Sequence, residues 1–173
     1  MDLRELLQIA AKEEERAKDV CINCCTAAGC HAANAVALQK NLNQAIKKAG
    51  LEETMEVRSV GCMGLCGRGP LLQVDPHNTM YEQVTPEQAE GVINALNGGS
   101  SDAIAFDPQD PFFARQLPIV TENSGRLDPE RIESYIAVGG YQQLHKVLYQ
   151  MTRPEVIDEI TASGLRGRGG GGY

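Results

Sequence analysis

Two cysteine pairs, each at or directly after the end of a predicted strand, constrain the fold of this chain more than any other feature. The pairs are Cys25-x4-Cys30 and Cys62-x3-Cys66. Alternating side chains at 20–25 and a β-branched run at 55–60 predict the strands, and an apolar stripe over 35–49 predicts a helix between them. This order predicts parallel neighbouring strands joined by a right-handed crossover. Because parallel strands end at the same edge of a sheet, we expect the four cysteines to converge there.

The flanking segments complete an α/β prediction. An amphipathic, charge-rich helix is expected over 2–17, and a hairpin with a three-residue loop over 71–84. Thr85 and Pro86 are typical of the start of a helix, which would run to Gly98. Together with the strand–helix–strand unit, this order predicts a thioredoxin-like α/β sandwich.

The chemistry of the two pairs favours an iron–sulfur cluster with four cysteine ligands. The segment 61–69 interleaves glycines with Cys62 and Cys66, and glycine lets backbone N–H groups approach an anionic group without a Cβ in the way. Met63 and Leu65 are placed to exclude water, which is one determinant of reduction potential.

Other chemistries would use the same residue types. A structural zinc site is one alternative, although such sites more often contain tight C-x2-C pairs. Disulfides are another, but the N-terminus has no secretory signal, and cysteines in a reducing compartment are more often metal ligands. His31 adjoins Cys30 and would serve as a ligand in a Rieske-like variant.

A third alternative is a thioredoxin-type dithiol at Cys21-x-x-Cys24. Both residues lie in a predicted strand, on opposite faces and about 10 Å apart. A disulfide needs Cα atoms within about 7 Å. We therefore expect Cys24 to be a small core residue and Cys21 to be structural, with no dithiol chemistry.

Composition excludes further classes of function. A net charge of −7 makes nucleic acid an improbable partner, and no apolar run approaches the length of a membrane span. Without a targeting segment, we expect a cytoplasmic protein.

The chain changes character after residue 97. Residues 98–116 are rich in Gly, Ser, Asp and Pro and are predicted to be a linker. Residues 117–173 are predicted to be mostly helical, with a capping box at Thr152-x-x-Glu155. Because so few residues make a weak core, we expect them to belong to an incomplete domain.

At this point the motifs resemble known proteins. CCTAAGC (24–30) and SVGCMGLCGRGPLLQVD (59–75) look like the thioredoxin-like [2Fe-2S] ferredoxin domain of respiratory complex I. NSGRLDPERIESYIAVGGYQQL (123–144) and SGLRGRGGGGY (163–173) look like the opening of the complex I flavin subunit. In combination they are similar to the diaphorase flavoprotein subunits of bidirectional NAD(P)-linked [NiFe] hydrogenases, especially the cyanobacterial type. Related fusions occur in NAD-dependent formate dehydrogenases and iron-only hydrogenases.

The resemblance implies a thioredoxin-like [2Fe-2S] domain at 1–97 and the start of an FMN-binding domain at 117–173. It implies that a [2Fe-2S] cluster is ligated by Cys25, Cys30, Cys62 and Cys66. It also implies that the FMN-binding loop begins with Gly167, Arg168, Gly169 and Gly170. Gly171 stands where the family usually has Ala.

The resemblance further implies electron transfer within an NAD(P)H-linked oxidoreductase. FMN and NAD(P)H would be cofactors of the complete subunit, and the partners would be other subunits of a hydrogenase or complex I-like assembly. No catalytic residue is expected among the residues of this chain. The rest of the flavin site, the NAD(H) site and a C-terminal [4Fe-4S] region are expected outside this sequence.

Overall fold

A five-stranded mixed sheet organises the N-terminal part of the chain. The computed structural model describes residues 2–107, 109, 111–167 and 169. The strands are β1 (Val20–Cys25), β2 (Met55–Val60), β3 (Leu72–Asp75), β4 (Thr79–Glu82) and β5 (Ile104–Phe106). The helices are α1 (Leu3–Glu15), α2 (Ala28–Ala32), α3 (Ala35–Ala49), α4 (Ala89–Leu96), α5 (Pro111–Ala114), α6 (Ile132–Ala137), α7 (Gln142–Gln150) and α8 (Arg153–Ser163).

The strand order in the sheet is β2-β1-β3-β4-β5. β1 pairs with β2 in parallel, as predicted, so that Cys25 lies opposite Val60 at the end of both strands. β3 and β4 form the predicted antiparallel hairpin, and β3 also pairs with β1. The loops that follow β1 and β2 therefore leave the same edge of the sheet.

The apolar core lies between the sheet and the helices α3 and α4. Ile22 and Cys24 of β1 and Leu38 and Leu42 of α3 have no exposed surface. Gly50, with φ +68°, ends α3 in the left-handed conformation that glycine adopts at low cost. The periodicity of this helix thus predicted both its buried face and its end.

The C-terminal helices have a much smaller core. α1 packs against α6, where Leu6 and Ile136 are buried. α7 and α8 contain no buried residue, although α8 begins with the predicted capping box and ends at Gly164. Among the described residues, no helix combines the length and the apolar character needed to cross a membrane.

Three local features differ from the sequence-based expectation. The segment 98–116, predicted to be a linker, contains β5, which pairs with β4. The five-residue helix α2, which contains Cys30, was not predicted. Asp128, Pro129 and Glu130 are typical of the start of a helix, but α6 begins at Ile132, after the N-cap residue Arg131. Both unpredicted elements are short, and tertiary contacts outweigh local periodicity in such segments.

Candidate metal centre

The four candidate ligands are held at the edge of the sheet where β1 and β2 end. Cys25 is the last residue of β1, and Cys30 lies in α2. Cys62 and Cys66 lie in the loop after β2, which we call the cysteine loop (61–69). The first pair is buried and the second is exposed, so the centre has one side against the core and one side at the surface.

Interactions among the thiols connect all four residues. The Sγ atoms of Cys62 and Cys66 are 3.9 Å apart. The thiols of Cys25 and Cys30 are close neighbours, and Cys66 lies near both of them. The two cysteine pairs therefore lie beside each other at this edge, and their role as ligands stays a prediction.

Burial and neighbouring thiols raise the pKa of two of the candidate ligands. Burial, followed by the interaction with Cys25, raises the pKa of Cys30 to about 12. The hydrogen bond with Cys62 is the largest of the effects that raise the pKa of Cys66. Several thiolates at this edge would repel one another, and iron ions bound between them would supply the compensating positive charge.

Two glycines allow the first cysteine pair and the second cysteine pair to lie close to each other. A Cβ at Gly29 in α2 would lie 2.9 Å from the Cβ of Cys66. A Cβ at Gly69 would lie 2.7 Å from the Sγ of Cys30. Both distances are shorter than carbon–carbon and carbon–sulfur contacts allow, so a side chain at either position would push the cysteine pairs apart.

The backbone makes one hydrogen bond to a candidate ligand. Within the described ranges, no three His, Cys, Asp or Glu side chains are gathered closely enough to hold a metal ion. The backbone N–H of Gly64 donates to the Sγ of Cys62 at 3.3 Å. Thiolate donors with a backbone hydrogen bond to sulfur fit an iron–sulfur cluster.

The end of the cysteine loop is fixed to β4 by contacts that the sequence did not predict. Arg68 Nε lies 2.6 Å from Glu82 Oε2, and the guanidinium also stands over the ring of Phe106 at 5.9 Å. The carbonyl of Arg68 accepts a hydrogen bond from Gln83 N at 2.9 Å. The sequence signal was Glu82, the single acidic residue of β4.

The remaining cysteines are outside the centre. The Sγ of Cys24 lies in the core, 3.9 Å from the carbonyl oxygen of Ala35, as expected for a small core residue. Burial raises the pKa of both Cys21 and Cys24 to about 12, which opposes dithiol chemistry. All six cysteines are free thiols, and His31 is exposed on α2.

The predicted FMN-binding loop lies at the margin of the described structure. Gly167 and Gly169 follow α8, and no described atom comes within 4 Å of the place a Cβ would take at Gly169. Arg168 and Gly170 lie outside the described residues. The role of this loop stays a prediction.

Residues 11–97, half of the chain, match the sequence model of the thioredoxin-like [2Fe-2S] ferredoxins. The chain belongs to this family. Membership confirms the predicted thioredoxin-like fold class and the predicted [2Fe-2S] cofactor.

Particular relatives extend the comparison. The chain is 56% identical over 59 residues to the NADP-reducing hydrogenase subunit HndC of Solidesulfovibrio fructosivorans, which covers 34% of this chain and 12% of that protein. It is 38% identical over 56 residues to an NADH-quinone oxidoreductase subunit of Rhizobium meliloti (strain 1021), covering 32% of this chain and 13% of that protein. The matches thus span about one eighth of these relatives.

A solved structure of the thioredoxin-like [2Fe-2S] ferredoxin from Aquifex aeolicus is also similar. It aligns with 51% of this chain and 98% of its own length, at 25% identity and a TM-score of 0.45.

Proposed function

We propose that this chain transfers electrons through a [2Fe-2S] cluster within the NAD(P)H-linked module of a hydrogenase or related complex I-like assembly. The proposed ligands are Cys25, Cys30, Cys62 and Cys66. The observation that carries the proposal is the convergence of these four thiols at one edge of a sheet in a member of the thioredoxin-like [2Fe-2S] family.

Different residues of the chain would surround and stabilise such a centre. When bound, a [2Fe-2S] cluster supplies a one-electron redox centre. Met63 and Leu65 are partly buried against the core and exclude water from part of the cysteine loop. The Gly64 N–H stabilises negative charge on the Sγ of Cys62. Because Cys62 and Cys66 are exposed, electrons would enter and leave on their side.

The surrounding assembly is part of the proposal. Similarity to a hydrogenase subunit and a quinone oxidoreductase subunit supports multisubunit partners, with FMN and NAD(P)H as cofactors of the complete subunit. We propose Gly167, Arg168, Gly169 and Gly170 as the start of its FMN loop. A cytoplasmic location and domains at 1–97 and 117–173 complete the proposal.

Anaerobic reconstitution with iron and sulfide tests the cluster. We expect a coloured protein with a visible charge-transfer spectrum and an EPR signal after reduction by dithionite. A colourless protein that binds one zinc ion and gives no reducible signal would overturn the electron-transfer proposal in favour of a zinc-stabilised interaction domain.

Paired serine variants test the ligand assignment. Cys62→Ser removes a proposed ligand, and we expect loss of the stable [2Fe-2S] spectrum together with lower iron and sulfide content. Cys21→Ser is the matched control because this cysteine lies outside the centre, and its spectrum should equal that of the wild type. Equal loss in both variants would contradict the assignment.

The source of electrons tests the flavin proposal. We expect dithionite to bleach the reconstituted chain. NADH or NADPH alone should leave its visible spectrum unchanged, because the resemblance at 117–173 covers only the opening of the flavin subunit. Reduction should appear when a flavin-containing NADH reductase is added. Direct bleaching by either nucleotide without flavin would contradict this division of roles.

A further inference from the structure

Gly125 lies far from the cysteines in sequence and is buried, although its neighbours Ser124 and Arg126 are exposed. Met63 of the cysteine loop lies against it. We infer that Gly125 is a positioning residue for the metal centre. It holds the turn of residues 121–127 against Met63 and so fixes the part of the loop next to Cys62. The inference rests on the proposed cluster.

The 121–127 turn is internally hydrogen-bonded. Ser124 N donates to the carbonyl of Thr121 at 3.0 Å, and Leu127 N donates to the carbonyl of Asn123 at 3.3 Å. Gly125 has φ +77°, a conformation that costs glycine little and other residues considerably more. The turn therefore presents a bare backbone to the cysteine loop.

The approach between the turn and the loop leaves no room for a side chain. A Cβ at Gly125 would lie 2.8 Å from the Cγ and 3.4 Å from the Cα of Met63. On the other side, a Cβ at Gly61 would lie 3.9 Å from Gly125 N. Met63 stands between Cys62 and Gly64, whose N–H donates to the Sγ of Cys62, so displacement of Met63 would disturb that hydrogen bond.

The turn also borders the route by which solvent reaches the centre. A cleft of about 740 Å³ is lined by Cys62 and Met63 from the cysteine loop and by Ser124 and Arg126 from the turn. The contact between Gly125 and Met63 lies next to this cleft. Displacement of Met63 would therefore change the wall of the cleft beside Cys62, which is itself exposed.

The other end of the turn is held to the N-terminal helix. Arg131 follows the turn, and its Nη2 lies 2.8 Å from Glu13 Oε2 in α1. Ser134 Oγ donates to the other oxygen of Glu13 at 3.4 Å. The position of the turn is therefore set from both sides, and the segment after the ferredoxin domain contributes to the environment of the proposed cluster.

The test compares two glycine-to-alanine variants of the reconstituted full chain. Gly125→Ala adds a methyl group against Met63. Gly98→Ala is the matched control, because Gly98 has φ +87° and nothing within 4 Å of a built Cβ. We expect Gly125→Ala to lose its cluster to EDTA about fivefold faster than the wild type or more, and to show a shifted reduction potential in an EPR-monitored titration. Gly98→Ala should match the wild type in both measurements.

A double variant separates the specific contact from a general loss of folding. In a Met63→Ala background the overlap is gone, and adding Gly125→Ala should change the rate of cluster loss no more than adding Gly98→Ala does. Equal rates for Gly125→Ala and Gly98→Ala in the otherwise wild-type chain would overturn the inference alone. A wild-type chain that takes up no cluster would overturn the proposed function, and this inference with it.

Discussion

Cys21 shares a strand with Cys25, yet its sulfur contacts hydrogen-bonding side chains instead of other thiols. Its Sγ donates to Asn23 Oδ1 at 3.4 Å, and Asn23 Nδ2 donates to Asp75 Oδ2 at 2.7 Å. Burial is the main cause that raises the pKa of Cys21 to about 12, with Arg58 opposing it. Position on one strand therefore does not decide which cysteine can serve as a ligand; the neighbouring groups do.

This raised pKa predicts a contribution to alkaline instability. The thiol ionises near pH 9.0 in the unfolded chain and near pH 12 in the folded chain, so above pH 9.0 the unfolded state holds fewer protons and the free energy of unfolding falls. Cys21→Ser retains a hydroxyl donor for Asn23 but removes the titration. Urea unfolding of the cluster-free chain should therefore show a shallower fall in stability between pH 9.0 and about pH 12 for the variant.

The readout of that comparison is the slope of the unfolding free energy against pH. Absolute stability is unsuitable, because serine differs from cysteine in its cost of burial. Parallel slopes for Cys21→Ser and the wild type would mean that this thiol does not titrate differently in the two states.

Residues of the centre differed in how well the sequence predicted them. The sequence placed the two cysteine pairs at one edge of the sheet because their positions depend on two strands with strong local patterns, and their role as ligands stays a prediction. The contacts of Arg68 with Glu82 and of Gly125 with Met63 were not predicted. Each joins segments whose approach is set by the packed structure, and no local periodicity encodes such a distance.

At the scale of elements, α1 joins the two parts of the chain. It packs on α6, and Glu13 is its principal polar contact there: the side chain is only 14% exposed and meets both Arg131 and Ser134. A partly buried carboxylate that accepts charge-assisted hydrogen bonds is costly to replace. This contact is expected to hold α1 in place.

Glu13→Gln should loosen α1 by about 1–2 kcal/mol, because the neutral amide forms weaker hydrogen bonds with Arg131. Hydrogen exchange followed by mass spectrometry should show faster exchange over Leu3–Glu15. Glu14→Gln makes the same chemical change at an exposed neighbour and should leave exchange as in the wild type. Equal protection of α1 in both variants would show that Glu13 does not hold the helix.

The elements also show where sequence reasoning succeeded. α3 and β2 were predicted with their observed bounds, because a long apolar stripe and a β-branched run are strong signals. β5 was missed: it has three residues in a polar, Gly- and Pro-containing segment, and its pairing with β4 is what makes it a strand. α2 has no side-chain cap, and its contacts with α3 and with the cysteine loop support it.

At the scale of the whole molecule, the buried core is unevenly distributed. It is concentrated in the sheet and its two covering helices, whereas Leu148 of α7 and Ile160 of α8 are exposed. The predicted boundary at residue 97 cuts between that core and β5. Phe106 of β5 packs against the core and lies under Arg68, so contacts with the sheet cross the proposed boundary.

Two shortened chains test where the folded unit ends. One stops after Asp107 and retains β5, and the other stops after Asn97. The shorter chain leaves the edge of β4 unpaired and removes Phe106, so we expect it to be less stable by about 1–2 kcal/mol. For a domain of this size that lowers the thermal midpoint by about 4–16 °C, measurable by circular dichroism.

Both shortened chains lack α6 and the 121–127 turn, so the comparison isolates β5. A Phe106→Ala substitution in the chain ending at Asp107 tests whether packing or strand pairing accounts for the difference. If packing dominates, the thermal midpoint of this Phe106→Ala variant should approach that of the chain ending at Asn97. Both chains then lack the aromatic contacts with the core and with Arg68. Identical midpoints for the two shortened chains would place the boundary at residue 97, with β5 as part of the linker.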